Sequence, residues 1–156
     1  MKLEQTNRII IKIGSALLFN ETSGSLNKEW LNSLAEDVKY LRENDKEVII
    51  VSSGAIAMGA KDLDLDMKNM KMDMNQAVSA VGQIHLMGSF KSAFEKNEIK
   101  ISQILLTLDD TEQRRRSINA RRTIDTLLKL GIVPVVNEND TICLLYTSDA
   151  ADDTSG

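Results

Sequence analysis

Three short polar segments, each directly after an apolar run, contain the groups best suited to bind anions or an amino acid. The first is IKIGSA, in which Lys12 precedes Gly14 and Ser15. An ammonium group inside an apolar strand is costly to bury without a partner, and the N–H groups of a glycine-serine turn can face an anion. This combination predicts a phosphate site. A lysine that extends to water and a simple turn glycine explain the same residues equally well.

The second segment is SSGAIAMGAK, where Ser52, Ser53 and Gly54 follow an apolar run and lead into an alanine-rich stretch. Backbone N–H groups and hydroxyls at a helix N-terminus bind carboxylate or phosphate, which makes this a candidate substrate site. A P-loop is excluded, because its lysine directly follows the second glycine and here an alanine intervenes after Gly59. Close helix packing is an equal explanation for Gly54 and Gly59.

The third segment is NEND, which consists of Asn137, Glu138, Asn139 and Asp140. Its carboxylates and amides are suited to holding an ammonium group or, less directly, a metal ion. For each of these residues taken singly, an Asx-type turn is an equally good explanation.

Apolar runs with two different periods predict the scaffold that positions these segments. Short β-branched runs predict strands at 8–13, 47–51, 100–107 and 132–136. Helical spacing predicts helices at 28–43 with Asn27 as N-cap, at 55–63, at 73–97, and at 111–130 with Gly131 in the C′ position. Alternating strands and helices predict a doubly wound parallel α/β sheet with ligands at the carboxyl ends of its strands.

Two details of this scaffold are specific enough to be checked. Asp73 and Gln76 have the spacing of a capping box that would open the long helix. The apolar residues of that helix are predicted to face the core as one stripe: Ala77, Val78, Val81, Ile84, Met87, Phe90 and Phe94. Pro134 cannot donate a ladder hydrogen bond, so we expect it at the start of its strand or on an edge strand.

Composition narrows the class of partner. The net charge is −4 and the pI is about 5.1, which argues against general binding to nucleic acid or to an anionic membrane. The basic cluster RRRSINARR (Arg114, Arg115, Arg116, Arg121 and Arg122) is therefore interpreted as a solvated or subunit-facing helix side. Single Cys143 and His85 residues exclude a disulfide framework and a zinc site built from cysteine or histidine. We expect a cytoplasmic protein with small-molecule or protein partners, and no membrane segment.

Six sequence blocks carry a resemblance to a known family. In chain order they are IKIGSALL, VIIVSSGAIAMG, AVSAVGQ, QILLT, NARRT and IVPVVNENDT. Together they resemble the N-terminal part of amino-acid kinases of the glutamate 5-kinase family, over residues 8–142. The resemblance implies a three-layer αβα sandwich with a mainly parallel sheet, the amino-acid kinase fold.

The resemblance also implies an activity. Members of the family transfer a phosphoryl group from ATP, with Mg²⁺, to the γ-carboxylate of L-glutamate, giving γ-glutamyl phosphate in the first step of proline biosynthesis. Lys12 matches the phosphate-contacting lysine and is the implied catalytic residue, with the N–H groups of Gly14 and Ser15 assisting. Such a reaction depends on positioning and charge neutralisation.

The glutamate site implied by the resemblance comes from two segments. Ser53 matches the glutamate-contacting serine, with Gly54 beside it; Asp140 matches the aspartate that binds glutamate, and Asn137 belongs to the same site. The resemblance assigns no residue of this chain as a metal ligand, and it implies a homo-oligomer for the full-length protein. Acetylglutamate kinase, aspartokinase and UMP kinase types are minor alternatives, and a catalytically inactive glutamate-binding fragment is a third interpretation.

The resemblance divides the chain into two parts. Residues 1–142 correspond to the N-terminal, glutamate-binding part of an amino-acid kinase domain. The later Gly-Asp-Asn-Asp motif and the nucleotide-binding segments of the family are absent, which predicts a truncated chain. Residues 143–156 (CLLYTSDAADDTSG) match nothing in the family and resemble translated adapter sequence, so we expect them to be foreign to the domain.

Overall fold

Four parallel β-strands form the centre of the structure, a computed structural model that describes residues 2–20, 22–106 and 114–137. The strands are β1 (Arg8–Ile13), β2 (Glu47–Ser52), β3 (Ile101–Ile104) and β4 (Val133–Val136), in the order β1-β2-β4-β3. A short 3₁₀ helix, Leu3–Gln5, precedes them. The α-helices are α1 (Ser15–Leu18), α2 (Lys28–Glu43), α3 (Ala55–Asp62), α4 (Met72–Glu95) and α5 (Arg114–Lys129). The predicted parallel α/β sheet is confirmed, and β3 is shorter than predicted.

Helices cover both faces of the sheet, because β2 and β4 are apolar on both sides. On one face, side chains such as Val48 and Ile50 of β2 pack in a core with α1, α2, α3 and α4. On the other face, Ile49 and Val51 of the same strand pack in a smaller core with Ile124 of α5. The predicted three-layer αβα arrangement is therefore confirmed.

Pro134 lies in an internal strand, so the expectation of an edge strand is wrong. It pairs in register with Ser102 of β3, whereas pairing between β4 and β2 begins one residue later, at Val135 with Ile50. The N–H groups of Val133 and Asn137 point to β3, so position 134 faces β2. Proline is tolerated there because the ladder with β2 has not yet begun, which agrees with the alternative expectation of a place near the start of the strand.

Both predicted helix ends that depend on a single residue have the expected geometry. The Asn27 side chain accepts a hydrogen bond from the Trp30 N–H at 3.2 Å, as an N-cap does. Gly131 has φ of +76°, and the N–H groups of Gly131 and Ile132 donate to Leu128 and Leu127. This hydrogen-bond pair is the Schellman motif, and it ends α5 directly before β4.

We expect Asn27→Ala to lower the free energy of unfolding by about 1 kcal/mol, because the first turn of α2 loses its side-chain acceptor. Urea denaturation followed by circular dichroism measures the change. Asn27→Asp is the matched control, since a carboxylate oxygen caps equally well and should keep the original midpoint. Equal stability of the alanine and aspartate variants would contradict a capping role.

The long helix α4 begins and packs differently from the prediction. It begins at Met72, so Asp73 lies in its first turn and the N-cap position belongs to Lys71, which makes no side-chain cap. Val81 and Ile84, predicted to face the core, are 41% and 80% exposed. Ala77 is also exposed, whereas Val78, Phe90 and Phe94 are buried as predicted. The other buried residues of this helix were not predicted: Gly82, Gln83, Leu86 and Ala93.

A glycine contact between α3 and α4 explains this difference. A Cβ atom added to Gly82 would lie 1.9 Å from the Ala55 carbonyl oxygen, and one added to Gly59 would lie 1.9 Å from the Val78 carbonyl oxygen. The two helices therefore touch backbone to backbone, and only glycine fits at the crossing. α4 turns the side that contains Gly82 toward α3, which leaves Val81 and Ile84 on the outside.

A charged cluster joins three elements at the amino ends of the strands. Arg8 of β1 donates to Glu47 of β2 and to Asp125 of α5, both at 2.8 Å. This contact holds α5 against the sheet at the edge opposite to the polar segments singled out above. Within the described ranges, no helix is both long and apolar enough to cross a membrane.

Candidate functional site

The carboxyl ends of β1, β2 and β4 are neighbours, and this brings the three polar segments to one edge of the sheet. Ile13 pairs with Ser52, and Val51 pairs with Val136. Adjacent strands lie about 4.8 Å apart, so the segments that follow these strands start within roughly 10 Å of one another. An anion site and an amino-acid site at this edge would be close enough to share a reaction.

Lys12 lies on the α5 face of β1, since its neighbours Ile11 and Ile13 belong to the opposite core. It is exposed and pairs in register with Val51. The cost of burying a charge, which motivated the phosphate interpretation, therefore does not arise. What remains is a lysine at the carboxyl edge of the sheet whose side chain is accessible from solvent, which is the geometry that a phosphoryl group arriving from outside requires.

Gly14 has no structural reason to be glycine within the described fold. Its φ of −78° and ψ of 157° suit any residue, and an added Cβ would have nothing within 4 Å. The N–H groups of Ser15 and Ala16 open α1 and so have no intrahelical acceptor. Open space over the backbone beside these N–H groups is what close approach of an anion needs.

Gly54, unlike Gly14, is required to be glycine by the packing around it. It is the buried N-cap residue of α3, and an added Cβ would lie 2.9 Å from Leu18 Cδ1 and 3.2 Å from Phe19 Cε2. Packing of α3 against α1 therefore accounts for this glycine without a ligand. Ser53, directly before it, is half-buried at the start of α3, where unpaired backbone N–H groups favour a carboxylate.

Ser52 belongs to the second polar segment together with Ser53, but the family resemblance assigns a role only to Ser53. Ser52 is 1% exposed, and within the described structure its Oγ has no hydrogen-bond partner. A buried hydroxyl without a partner costs free energy. Ser52, with Ser53 directly after it, forms the polar end of an otherwise apolar strand. No sequence signal separates Ser52 from Ser53, because only the strand register decides which serine is buried.

A cavity of about 460 Å³ adjoins the same edge, between α1 and α3. Its lining includes Ser15, Phe19, Asn20 and Lys61, and the Lys61 Nζ donates to the Ser23 carbonyl oxygen at 3.4 Å. The cavity has both polar and apolar walls. Sequence patterns could not reveal it, because it forms between a loop and a helix that are far apart in the chain.

The end of β4 supplies Asn137, which is half-buried and whose N–H donates to the Ile104 carbonyl oxygen at 3.0 Å. Its side chain therefore lies at the carboxyl edge, where the sequence predicted it. Glu138, Asn139 and Asp140 lie outside the described residues, as does the segment 143–156. Of the predicted site residues, the structure brings together Lys12, Gly14, Ser15, Ser53, Gly54 and Asn137 at one edge.

The basic cluster and the single histidine lie away from this arrangement. Arg114, Arg115 and Arg122 are exposed on α5, as expected for a solvated helix side. His85 is exposed on α4, with its Nδ1 3.0 Å from both carboxylate oxygens of Asp62. Among the residues that the structure describes, no group of three or more histidine, cysteine or acidic side chains is placed to hold a metal ion.

Sequence comparisons with known proteins agree with one another on the family of this chain. Residues 7–151 match the amino acid kinase family, so the match ends within the segment 143–156 that was set apart on sequence grounds. The chain is 56% identical over 142 residues to glutamate 5-kinase of Pelagibacter ubique, covering 91% of this chain and 38% of that protein. It is 51% identical over 140 residues to glutamate 5-kinase of a Ruegeria species, covering 90% of this chain and 38% of that protein.

One solved structure shares the fold. The product complex of isopentenyl phosphate kinase from T. acidophilum aligns with 84% of this chain and 54% of its own, at a TM-score of 0.57 and 16% identity. The likeness at that identity concerns the fold alone. The chain spans only about 38% of the length of the relatives it matches in sequence.

Proposed function

The chain belongs to the amino acid kinase family, and from this premise we propose that it forms the glutamate-binding and phosphate-contacting part of a glutamate 5-kinase. The reaction is transfer of the γ-phosphoryl group of ATP to the γ-carboxylate of L-glutamate, the first step of proline biosynthesis. The proposal rests on one observation: the segments that contain Lys12, Ser53 and Asn137 lie together at one edge of the sheet. Relatives that are 51–56% identical and bear this name support the choice of substrate.

Lys12 is the residue we assign to the transferring phosphoryl group. Two anions must approach each other in this reaction, and charge spreads over the phosphoryl oxygens in the transition state. The Lys12 ammonium group offsets that charge, and the N–H groups that begin α1, at Ser15 and Ala16, donate to the same oxygens. Gly14 keeps the space above them open.

The glutamate molecule is assigned to the ends of β2 and β4. The Ser53 hydroxyl and the N–H groups at the start of α3 donate to a substrate carboxylate, for which a helix N-terminus is a favourable place. Asn137, together with Asp140 from outside the described residues, accepts from the substrate ammonium group. The cavity beside α1 and α3 gives the substrate its route to this edge.

We propose ATP as phosphoryl donor, and Mg²⁺ as the ion that accompanies it. Ligands for Mg²⁺ in such sites come largely from substrate phosphates and water. The part of the chain that the structure describes offers no set of side chains for a metal ion, so no role of its own residues toward Mg²⁺ is assigned. Because ATP and glutamate are cytoplasmic metabolites, we also propose a cytoplasmic place for the reaction.

A chimera tests the proposal. Residues 1–137 of this chain would replace the corresponding segment of the Pelagibacter ubique relative, and the unmodified relative is the positive control. We expect ADP release that requires L-glutamate and yields a hydroxamate when hydroxylamine is present. N-acetyl-L-glutamate and L-aspartate should give background rates, because the first lacks the ammonium group that we assign to Asn137 and Asp140, and the second is one methylene group shorter than glutamate.

Two outcomes would contradict the proposal. A chimera that unfolds cooperatively but prefers aspartate or acetylglutamate would reassign the substrate to a sister family. A cooperatively folded chimera that is inert with all three amino acids, beside an active relative, would reject the kinase assignment. Calorimetric titration of the 156-residue chain with the same three amino acids is the second measurement, with saturable heat expected for glutamate alone.

A further inference from the structure

The arginines of this chain are concentrated on one helix. Five of its seven arginines lie at 114–122 of α5, whereas eleven of its twelve lysines lie outside that helix. The whole chain has a net charge of −4, so α5 is a local excess of positive charge in an acidic protein. Arginine differs from lysine in its planar guanidinium group, which donates two parallel hydrogen bonds to phosphate or carboxylate oxygens. The composition of α5 is therefore typical of a surface that binds anions.

The exposed arginines of α5 stand in two adjoining rows. Arg115, Asn119 and Arg122 are spaced by four and three residues and share one face of the helix, and Arg114 and Ile118 form the row beside them. A hollow of about 590 Å³ lies against these rows, and the same five residues are its described lining. We name it the α5 hollow. Its volume suits a small molecule, and three guanidinium groups and one amide border it.

The positive charge at the α5 hollow is not neutralised by the described part of the chain. Within that part, the side chains of Arg114, Arg115 and Arg122 are exposed and form no ion pair or hydrogen bond. The acidic residue of α5, Asp125, is three residues from Arg122, but it accepts from Arg8 of β1 at 2.8 Å. Positive charges on adjoining rows of one helix repel one another, and a bound anion would remove that cost.

The spacing of the arginines indicates the size of the anion. Arg115 and Arg122 are seven residues apart, which is about 10 Å along the helix axis. A chain of two or three phosphoryl groups, held by long side chains at both ends, spans this distance, whereas one phosphate group does not. Ile118 is half-buried at the same hollow and offers an apolar contact beside the charged groups.

A nucleic acid is a poorer fit than a small phosphate compound. The chain outside α5 is strongly acidic, so it repels a long polyanion. Single-stranded nucleic acids also stack their bases on aromatic side chains, and none occurs among the described residues of the α5 hollow. The surface is therefore suited to a compact anion.

We propose that the α5 hollow is a second anion site, which binds a diphosphate or triphosphate group, either inorganic or as part of a nucleotide. The site is separate from the edge assigned to the kinase reaction, because Lys12, Ser53 and Asn137 are not among its lining residues. Its lining supplies donors and positive charge but no nucleophile or general base. The anion is therefore bound there as a ligand and is not consumed.

Calorimetric titration of the 156-residue chain with inorganic triphosphate at low ionic strength tests the site. We expect saturable binding of one triphosphate per chain. The double variant Arg115→Gln/Arg122→Gln should bind at least about tenfold more weakly, because it loses two charge-assisted contacts. Glutamine has nearly the helix propensity of arginine, so this variant should keep the circular dichroism spectrum of the original.

A second double variant, Lys39→Gln/Lys129→Gln, is the matched control for net charge. It removes two positive charges from exposed helix positions, one of them on α5, and it should bind triphosphate as the original does. Equal weakening in both double variants would overturn the proposal, since general attraction to charge would then explain the binding. Absence of saturable binding by the unmodified chain would also overturn it.

The Lys12→Met variant distinguishes this site from the proposed reaction edge. It should bind inorganic triphosphate as the original does, and loss of binding would place the anion at Lys12 and overturn a second site. In the same variant, ATP should bind and adenosine should not. Equal affinity for ATP and triphosphate assigns the site to the phosphate chain alone, and higher affinity for ATP assigns it to a nucleotide that also contacts Ile118. Binding of adenosine, or of ATP without binding of triphosphate, would reject phosphate recognition.

Discussion

Gly82→Ala is expected to lower the free energy of unfolding by about 3 kcal/mol or more, a large effect for the addition of one methyl group. The new Cβ would lie 1.9 Å from the Ala55 carbonyl oxygen and 2.4 Å from the Gly59 nitrogen. Both atoms belong to the backbone of α3 and cannot rotate away as a side chain would. α3 and α4 would have to separate, and α3 directly follows Ser53 and Gly54, the residues that we propose for substrate binding.

A second glycine of the same helix is the matched control. An added Cβ on Gly88 meets nothing within 4 Å, so Gly88→Ala should leave the stability unchanged or raise it by up to ~1 kcal/mol through helix propensity. Urea denaturation followed by circular dichroism measures both variants. Equal stability of the two variants would contradict backbone-to-backbone packing of α3 on α4.

Sequence patterns predict the sheet well because its signals are local. The β-branched run that contains Ile10 and Ile11 is too short for a helix and too apolar for a loop, and it forms β1. Asn27 and Gly131 mark helix ends because each satisfies a backbone requirement within a few residues of its own position. Alternation of such elements then limits the topology to a parallel sheet with neighbouring carboxyl ends.

The face of α4 could not be predicted from the sequence, because the deciding contact lies between distant segments. The spacing of the apolar residues correctly predicts a helix, but it does not decide whether Val81 and Ile84 face the core of the domain. The contact between Gly59 and Gly82 exists only in the folded chain, and it leaves Val81 and Ile84 on the outside while Val78 and Phe90 stay buried as expected. Pro134 is a similar case, since its tolerance depends on where β2 begins to pair with β4.

The sequence predicted where in the sheet the candidate site lies, but not how buried each of its side chains is. The ends of β1, β2 and β4 meet as the topology requires. Lys12 is exposed, which agrees with the alternative of a lysine that extends to water, because α5 packs chiefly on the internal strands β2 and β4. The burial of Ser52 and the cavity at Lys61 also depend on tertiary contacts.

Lys12→Met, introduced into the chimera described above, is expected to lower kcat by about 10²–10³-fold. Methionine keeps an unbranched aliphatic stem on β1 beside Val51, so the strand should be undisturbed and the charge alone is removed. Lys100→Met is the matched control. Lys100 is an exposed lysine directly before β3, at the amino edge of the sheet, and its variant should keep the original kcat.

The division of the Lys12→Met effect between kcat and KM distinguishes a catalytic lysine from one that only binds ATP. A lysine that holds the phosphates equally in the ground state and the transition state would, when lost, raise the KM for ATP and leave kcat unchanged. A lysine that offsets charge developing on the transferring group lowers kcat itself. The open position of Lys12 at the sheet edge, beside the N–H groups that begin α1, favours the second result. A kcat within about threefold of the original would remove Lys12 from the chemical step.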